Sequence, residues 1–432
     1  MTDLETRAAP SRAGALRRAA PALAGYAAVR ALGVLALFLW SAARDKSAYT
    51  LLTARWDALW YVRVAELGYG YEVRLANGDV HSNLAFFPLL PWLERLVAAV
   101  SPLSYADGGF LVSLLASLAA AWGIFAVADQ VYGRRAGVYA VLLWAVLPVG
   151  IVQSMAYSES LFTALAAWSL YAVLTGRWVT AGTLALLTGL TRPVGLAVVA
   201  AVWVAAVASF VRDRRTADIL GHGRAADLVG DERTADLVGD GRTADFADDG
   251  RAAGQDTPRT PAAAPGTHTR RVLGMLLAPL GTVGYVLWVG HHTGKGPLGY
   301  LDVQAGWRNG FDGGYAFARF IAEKFTSFPA ALAGVGLILG VASVIWLYVT
   351  GVRQRQPLPL LVYTGVVAAL ALCASSYFGS KPRLLLPAFP LLLPFARSLA
   401  GLRMRRSAVV LGSVAVASAV YGAFWLNGSG PP

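Results

Sequence analysis

Long blocks of apolar residues alternate with short polar, arginine-bearing stretches along most of the 432-residue chain. Several blocks approach the roughly 20 residues that a helix needs to cross a bilayer core of about 30 Å. A transmembrane barrel would instead show short segments of weakly alternating hydrophobicity. The pattern therefore predicts an all-α polytopic membrane protein.

We predict about eleven membrane spans and a long first outer loop. The spans cover residues 21–42, 108–128, 136–152, 161–174, 179–190, 194–211, 272–289, 327–350, 359–377, 384–399 and 408–425. Residues 191–193 separate the fifth span from the sixth, because proline removes a backbone donor and disfavours helix at the residue before it. A single helix kinked at this proline is the alternative interpretation.

Composition agrees with a membrane protein, since 56% of the residues are hydrophobic and only 14% are charged. A soluble domain carries roughly 25% charged residues. The net charge of +12 lies in short arginine clusters between apolar blocks, which is typical of cytoplasmic loops and not of a nucleic-acid-binding face. The single cysteine, Cys373, excludes a disulfide framework or a thiolate metal site within the chain.

The arginine clusters also predict an orientation. With the N-terminus in the cytoplasm, all of them fall on the inner side: Arg134 and Arg135, Arg177, Arg212 to Arg215, Arg353 and Arg355, and Arg403 to Arg406. The outer loop at 43–107 and the polar turns near residues 157, 192, 300 and 381 then face outward. We therefore expect a multi-pass protein of the cell membrane whose chemistry lies on the extracytoplasmic side.

A nine-residue repeat interrupts the membrane pattern, with RTADILGHG, RAADLVGDE, RTADLVGDG and RTADFADDG in succession from Arg215. These units have few large apolar residues, so they cannot bury enough surface to offset the entropy lost on ordering. We predict that residues 212–271 are a disordered cytoplasmic insertion. It divides the chain into an N-terminal tail (1–20), a membrane module with the catalytic groups (21–211) and a C-terminal membrane module (272–432).

Charged and aromatic residues concentrate at 54–71, which reads ARWDALWYVRVAELGYGY. On a helix, Asp57 and Tyr61 share one face, and Trp56, Trp60 and Arg63 share another. Tryptophan and tyrosine favour the membrane–water boundary. From these residues alone, an interfacial amphipathic helix with Asp57 paired to a nearby arginine is the favoured interpretation, and a catalytic loop is the alternative.

Four motifs in order carry a family resemblance: RWDALWYVRVAELGY, FFPLLPWLERL, YSESLF and TRPVGL. Together they resemble the mannosyltransferases that add the second mannose to GPI anchors, and their bacterial relatives. The stretches GPLGYLDVQAGWR (296–308) and RLLLPAFP (383–390) look like later loops of the same group. The resemblance covers most of the membrane part and none of 212–271. Leu90 departs from it, because relatives often have tyrosine there.

The resemblance implies a GT-C-like fold, a polyprenyl-phosphate-mannose donor and a lipid or glycan acceptor outside the cytoplasm. It also implies that Asp57 is the characteristic acidic residue. The chemistry agrees, because a carboxylate can take the proton that the acceptor hydroxyl loses as it attacks the anomeric carbon. The leaving lipid phosphate needs cations, and guanidinium groups match its oxygens.

The predicted site has Asp57 as base and three cations for the donor phosphate, namely Arg192, Arg383 and Lys381. Candidate substrate contacts are Trp56, Trp60, Tyr61, Arg63, His81, Phe87, Tyr157, Glu159, Gln304 and Trp307. We expect no resident cofactor and no metal site, although a requirement for a divalent ion stays open. The alternative functions are a transporter or flippase of lipid-linked sugars, or a structural component that recruits partners through the repeats.

Overall fold

The computed structural model describes residues 12–235 and 266–428. The first part contains α1 (Arg12–Ala42), α2 (Ala48–Thr53), α3 (Asp57–Leu67), β1 (Glu72–Arg74), β2 (Val80–Ser82), α4 (Leu89–Val100), α5 (Tyr105–Tyr132), α6 (Arg134–Ala145), α7 (Ser158–Leu174), α8 (Trp178–Gly189) and α9 (Leu196–Ala235). Strands β1 and β2 form an antiparallel hairpin in the long first loop.

The second part contains α10 (Thr267–Leu277), α11 (Leu280–His292), α12 (Gly299–Gly306), β3 (Gly310–Phe311), α13 (Tyr315–Glu323), α14 (Ala330–Arg353), α15 (Leu358–Cys373), β4 (Ala374–Ser375), α16 (Lys381–Leu384), α17 (Leu393–Gly401) and α18 (Met404–Leu426). Strand β3 pairs antiparallel with β4. This pair joins the long loop after α11 to the end of α15.

The predicted class, an all-α polytopic membrane protein, is confirmed. Within the described residues, six helical segments are long and apolar enough to cross a membrane: Gly14–Ala42, Tyr105–Tyr132, Pro193–Thr216, Thr267–His292, Ala330–Arg353 and Met404–Leu426. The pair Phe378–Leu384 and Phe389–Gly401, bent by 74°, makes a seventh if it is one span. The exact count of eleven is not confirmed, because α7, α8 and α15 are apolar but shorter.

Helix α7 lies at the centre of the bundle, and most of its residues are buried against α5, α8 and α9. Small residues allow the close approach. A Cβ atom on Gly123 of α5 would lie 2.9 Å from the Ala167 side chain of α7. Lipid is as apolar as leucine, so helices in a membrane associate through such close packing.

The structure shows a turn rather than a kink at residues 191–193. Helix α8 ends at Gly189, and Arg192 has an extended backbone with φ −160° and ψ 154°. A Cβ atom on Gly195 would lie 2.8 Å from the Cα atom of Gly189. The chain therefore doubles back on itself, which brings the Arg192 side chain to the end of α7.

Two predicted boundaries need correction. Helix α1 begins at Arg12, within the predicted tail. Helix α9 continues to Ala235 and α10 begins at Thr267, so residues 212–235 and 267–271 are helical where disorder was expected. Extending an existing helix needs no new nucleus, and the alanine, leucine and arginine of the repeat are good helix formers. Residues 1–11 and 236–265 of the predicted tail and insertion lie outside the described residues.

The cluster of Arg134 and Arg135 lies at the same end of the bundle as Arg18 and the α17–α18 junction. Arg18 pairs with Asp129 at 2.8 Å, and Arg134 Nε donates to the Arg18 carbonyl at 3.3 Å. Arg135 donates to the Leu402 carbonyl at 3.2 Å. These contacts hold together the start of α1, the α5–α6 junction and the α17–α18 junction, as the predicted common side of the clusters requires.

The turn at Gly195 gives the first testable prediction. Gly195→Ala should lower the melting temperature of the detergent-solubilised protein by the equivalent of about 1–3 kcal/mol, because the methyl group would overlap the backbone of α8. Gly33→Ala in α1 is the control, since a Cβ atom there meets nothing within 4 Å. Equal melting temperatures for the two variants would contradict the close turn.

Candidate active site

Asp57 is the first residue of α3, and the chain reaches it through an unusual backbone conformation. The preceding Trp56 has φ 52° and ψ −122°, a region that residues with a side chain rarely adopt. Such conformations persist where the surroundings impose them. The Arg55 guanidinium packs over the Trp56 ring at 4.1 Å from its centroid, which helps to fix this turn and the direction of Asp57.

The other end of α3 is fixed from α4. The Arg95 guanidinium donates to the Ala65 carbonyl and, at 3.2 Å, to the Val64 carbonyl. The Val64 carbonyl also accepts the Gly68 backbone N–H at 3.0 Å. The last carbonyls of a helix lack a partner further along the helix, and Arg95 supplies one for Ala65. The helix that carries Asp57 is therefore held at both ends.

Glu159 lies in the first turn of α7, and only 1% of its side chain is exposed. Its Oε1 lies 2.5 Å from Arg192 Nη1 and 3.3 Å from Arg383 Nε. Arg383 Nη1 also donates to Asp57 Oδ2 at 2.7 Å. Arg383 therefore bridges two carboxylates, and Glu159 in turn joins two arginines.

We call Asp57, Glu159, Arg192 and Arg383 the charge cluster. Its formal charges sum to zero. Both carboxylates lie in the first turns of helices, where the positive end of the helix dipole favours an anion. The cluster combines a carboxylate that can accept a proton with guanidinium groups that can bind phosphate oxygens.

Tyrosine and serine side chains support the cluster. The Tyr61 hydroxyl lies 2.7 Å from Ser158 Oγ, and Arg192 Nη1 donates to the same oxygen at 3.3 Å. The Tyr157 hydroxyl accepts a hydrogen bond from the Asp57 backbone N–H at 3.4 Å, and its ring lies beneath the Arg383 guanidinium. We predicted that Tyr157 contacts the substrate, but its side chain is fully buried. It supports Asp57 and Arg383 instead.

A cavity of about 530 Å³ opens beside the charge cluster, within the range of small-ligand sites. Eight of the residues predicted from sequence line it: Asp57, Tyr61, Phe87, Glu159, Arg192, Gln304, Trp307 and Arg383. They come from both membrane modules. The fold thus brings together residues that are far apart in the chain.

Trp60, His81 and Arg63 were predicted to contact substrate but lie behind the cavity wall. Trp60 packs against Trp307, with ring centroids 4.9 Å apart, and His81 stacks on the same ring at 4.0 Å. Burial lowers the pKa of His81 and outweighs the opposing effect of the nearby Asp79 carboxylate. Arg63 instead packs over the Tyr71 ring. Like Trp56, these residues do not line the cavity.

Lys381 does not lie in the cavity, which corrects its predicted role in phosphate binding. Its ammonium group is buried and donates to the carbonyls of Ala371 at 2.8 Å and Ala374 at 2.7 Å. It also lies 4.6 Å from the centroid of the Phe317 ring. Lys381 therefore satisfies the carbonyls at the end of α15, as cations often do at a helix C-terminus.

Sequence reasoning missed several cavity residues, among them Phe86, Tyr300, Asn309, Ser375 and Ser376. Ser375 lies in β4, and Asn309 and Ser376 directly flank the β3–β4 pair. The only signal for them was a pair of polar residues directly after an apolar block. As for metals, residues 12–235 and 266–428 contain no group of three or more His, Cys, Asp or Glu side chains that could hold an ion. The expectation that no metal site or cofactor is needed stays a prediction.

Residues 35–216 match the model of the family described as Mannosyltransferase (PIG-V). The family resemblance is confirmed. The matched region includes Asp57, Glu159 and Arg192, whereas Arg383 comes from the part of the chain beyond it. No curated protein matches the chain in sequence.

Similar solved structures include ArnT from Cupriavidus metallidurans bound to undecaprenyl phosphate, with a TM-score of 0.49 and 13% identity. The match covers 90% of this chain and 63% of that one. A second is the oligosaccharyltransferase AglB from Archaeoglobus fulgidus, in complex with an inhibitory peptide and a dolichol-phosphate, with a TM-score of 0.43 and 11% identity. That match covers 94% of this chain and 56% of AglB. The chain thus spans less than two thirds of the length of either protein.

Glu159→Gln tests the charge cluster. It removes the shared partner of Arg192 and Arg383, and breaking a buried ion pair from one side destabilises a protein by about 3–5 kcal/mol. We expect a clearly lower melting temperature in detergent. The control is Glu323→Gln, whose partner Arg319 lies at 3.0 Å on an exposed helix face, where such a pair contributes only about 0.3–0.5 kcal/mol. Similar shifts for both variants would contradict the assignment.

Proposed function

We propose that the chain is a glycosyltransferase that moves mannose from polyprenyl-phosphate-mannose to a lipid or glycan acceptor. One observation carries the proposal: Asp57 and Arg383, distant in sequence, meet at 2.7 Å on the wall of a cavity. Both side chains therefore face one cavity, where a carboxylate can serve the attacking hydroxyl and a guanidinium group the leaving phosphate. The family match over residues 35–216 supports the same reaction class.

Asp57 is the carboxylate suited to be the base. About 24% of its side chain is exposed to the cavity, against 1% for Glu159. Arg383 contacts Oδ2 of Asp57, which leaves Oδ1 to accept the proton of an acceptor hydroxyl. Glu159 instead holds Arg192 and Arg383 in position, so its predicted contact with substrate becomes a positioning role.

The arginines are suited to hold the leaving phosphate. Arg383 directs Nη1 and Nε at carboxylates, and a guanidinium group has five N–H donors, so others are left for phosphate oxygens. In the proposed step the acceptor oxygen bonds to the anomeric carbon and its proton passes to Asp57. The bond to the phosphate oxygen breaks, with its electron pair on that oxygen. Attack opposite the leaving phosphate would invert the anomeric configuration.

The apolar part of the cavity suits the lipid carrier. Val194, Leu301, Val367 and Leu370 line it beside the charge cluster. With the donor phosphate held near Arg192 and Arg383, the first isoprenoid units of the lipid would contact these side chains. The donor and the surrounding membrane lipids would then share one apolar environment.

The arginine distribution supports an extracytoplasmic site. Helix α7 begins with Ser158 and Glu159 at the cavity and ends next to Arg177. Helix α15 follows Arg353 and Arg355 and ends at the cavity wall. Because arginine-rich ends face the cytoplasm, the cavity would open on the other side of the cell membrane.

The direct test incubates membranes, with and without the protein, with radiolabelled polyprenyl-phosphate-mannose. We expect a labelled lipid or glycan product that depends on the protein, and its identification would name the acceptor. Movement of intact donor across the membrane without a new product would favour a flippase and contradict the proposal.

Asp57→Asn should reduce the rate of transfer by about 10²- to 10⁴-fold, because an amide cannot take the proton. The side chain keeps its size, so the apparent affinity for donor should change less than the rate. Asp129→Asn is the matched control, since Asp129 pairs with Arg18 at the arginine-rich end. Transfer at the wild-type rate by a well-folded Asp57→Asn protein would refute the assignment.

Arg383→Lys should raise the KM for donor and lower kcat, although the charge is kept. A lysine is a point charge and cannot bridge Asp57, Glu159 and a phosphate at once as a planar guanidinium can. Arg135→Lys, at an exposed backbone contact on the far end of the bundle, is the control. Steady-state kinetics with both substrates varied would measure the effect, and unchanged constants would contradict it.

A further inference from the structure

The cavity has a second polar region, made of uncharged groups that the proposed chemistry does not use. Strands β3 and β4 pair with Gly310 opposite Ser375 and Phe311 opposite Ala374. The same register continued by one residue places Asn309 opposite Ser376. Residues directly opposite in an antiparallel pair project to the same face, about 5 Å apart. Both line the cavity.

Ser376 has a buried hydroxyl with no hydrogen-bond partner among the described residues. Leaving such a group unsatisfied is unfavourable, so a hydroxyl of this kind on a cavity wall suits a ligand that can bond to it. Ser376 Oγ can both donate and accept. A ligand hydroxyl has the same two capacities.

Asn309 is oriented by a short chain of hydrogen bonds. Its Nδ2 donates to Gln304 Oε1 at 3.0 Å, and Gln304 Nε2 donates to the Tyr300 hydroxyl at 2.5 Å. This arrangement uses the Asn309 amide nitrogen and leaves its Oδ1 as an acceptor for a ligand in the cavity. Gln304 thus positions Asn309, and the two amides present a fixed pattern to the cavity.

Trp307 adds a flat apolar surface to the same wall. Its indole Nε1 donates to the Ser82 carbonyl at 3.0 Å, and His81 stacks on the ring. The ring is therefore rigidly held. An aromatic face beside uncharged hydrogen-bonding groups complements a sugar ring, which has an apolar C–H face and a rim of hydroxyls.

We propose that Asn309, Ser376 and Trp307, with Gln304 behind them, form a subsite for a neutral hexopyranose. None of Gln304, Trp307, Asn309 and Ser376 is charged. A sugar with a carboxylate or an ammonium group would bring a charge with no partner, which is costly in a buried site. The inference rests on the proposed function. The bound ring can be the transferred sugar or a sugar of the acceptor glycan. The experiment below distinguishes these two cases.

The test uses the purified full-length protein and the variants Ser376→Ala and Asn309→Ala. We expect the KM for one substrate to rise about three- to tenfold in each, the loss expected for one neutral hydrogen bond. Ser376→Ala should leave the melting temperature unchanged or raise it, because it deletes an unsatisfied buried hydroxyl. A merely structural serine would lower it. Ser343→Ala is the control, since its hydroxyl bonds only within the exposed face of α14.

The outcomes separate the two sources of the ring. A rise confined to the donor KM assigns the subsite to the transferred sugar, and a rise confined to the acceptor KM assigns it to the acceptor glycan. Unchanged constants in both variants, with active wild-type protein, would overturn the subsite.

A second measurement does not depend on transfer. Saturation-transfer NMR should detect methyl α-mannopyranoside on the wild-type protein but much less on Ser376→Ala, and should detect the charged methyl glucuronide on neither. An inactive wild-type protein that still binds the mannoside would refute the proposed function alone. Equal mannoside signals for wild type and Ser376→Ala would refute the subsite.

Discussion

The buried carboxylate of Glu159 is the group on which the architecture of the site depends. It lies at the start of the central helix α7, almost without exposure. An isolated charge in such a place is unfavourable by several kcal/mol. Two guanidinium groups compensate for it, one from the turn between α8 and α9 and one from α16. Because Arg383 also contacts Asp57, the requirement to neutralise Glu159 places Asp57, the proposed base, beside Arg383, the proposed phosphate ligand.

This arrangement also joins the two membrane modules. Arg192 belongs to the region that matches the family model, and Arg383 lies far beyond it. A residue beyond the matched region therefore completes the charge cluster that begins within that region. The β3–β4 pair makes a similar connection, since it joins the loop after α11 to the end of α15 and closes one wall of the cavity.

Topology from sequence predicted which residues share a face of the membrane, but not which of them meet. Arg192 and Arg383 line the cavity as expected, whereas Lys381 does not. Lys381 and Arg383 are two residues apart on the short helix α16, and such residues point in roughly opposite directions. Only one of them can face the cavity. The apolar pattern around them does not say which.

Other features could not be predicted because they carry no sequence period. Strands of two residues, like β3 and β4, are too short for an alternating pattern. The prediction of disorder considered only that the repeat has too few large apolar residues to form a core. The start of the repeat is nevertheless helical, because it extends an existing helix and needs no new nucleus. The sequence shows that aromatic residues concentrate near Asp57. Their division into cavity wall and support, with Trp307 in front of Trp60 and His81, depends on tertiary packing.

The zero net charge of the cluster has a consequence for the proposed reaction. The donor phosphate diester carries one negative charge, and the released lipid phosphate carries up to two. Over the same step Asp57 gains a proton and loses its negative charge, so the positive charge of Arg383 is freed for the departing phosphate. The total charge within the cavity therefore stays nearly constant from donor to product. In an apolar bundle, where separating charges is strongly unfavourable, the contact of Arg383 with Asp57 keeps one cation near the negative charge as that charge moves from the carboxylate to the phosphate.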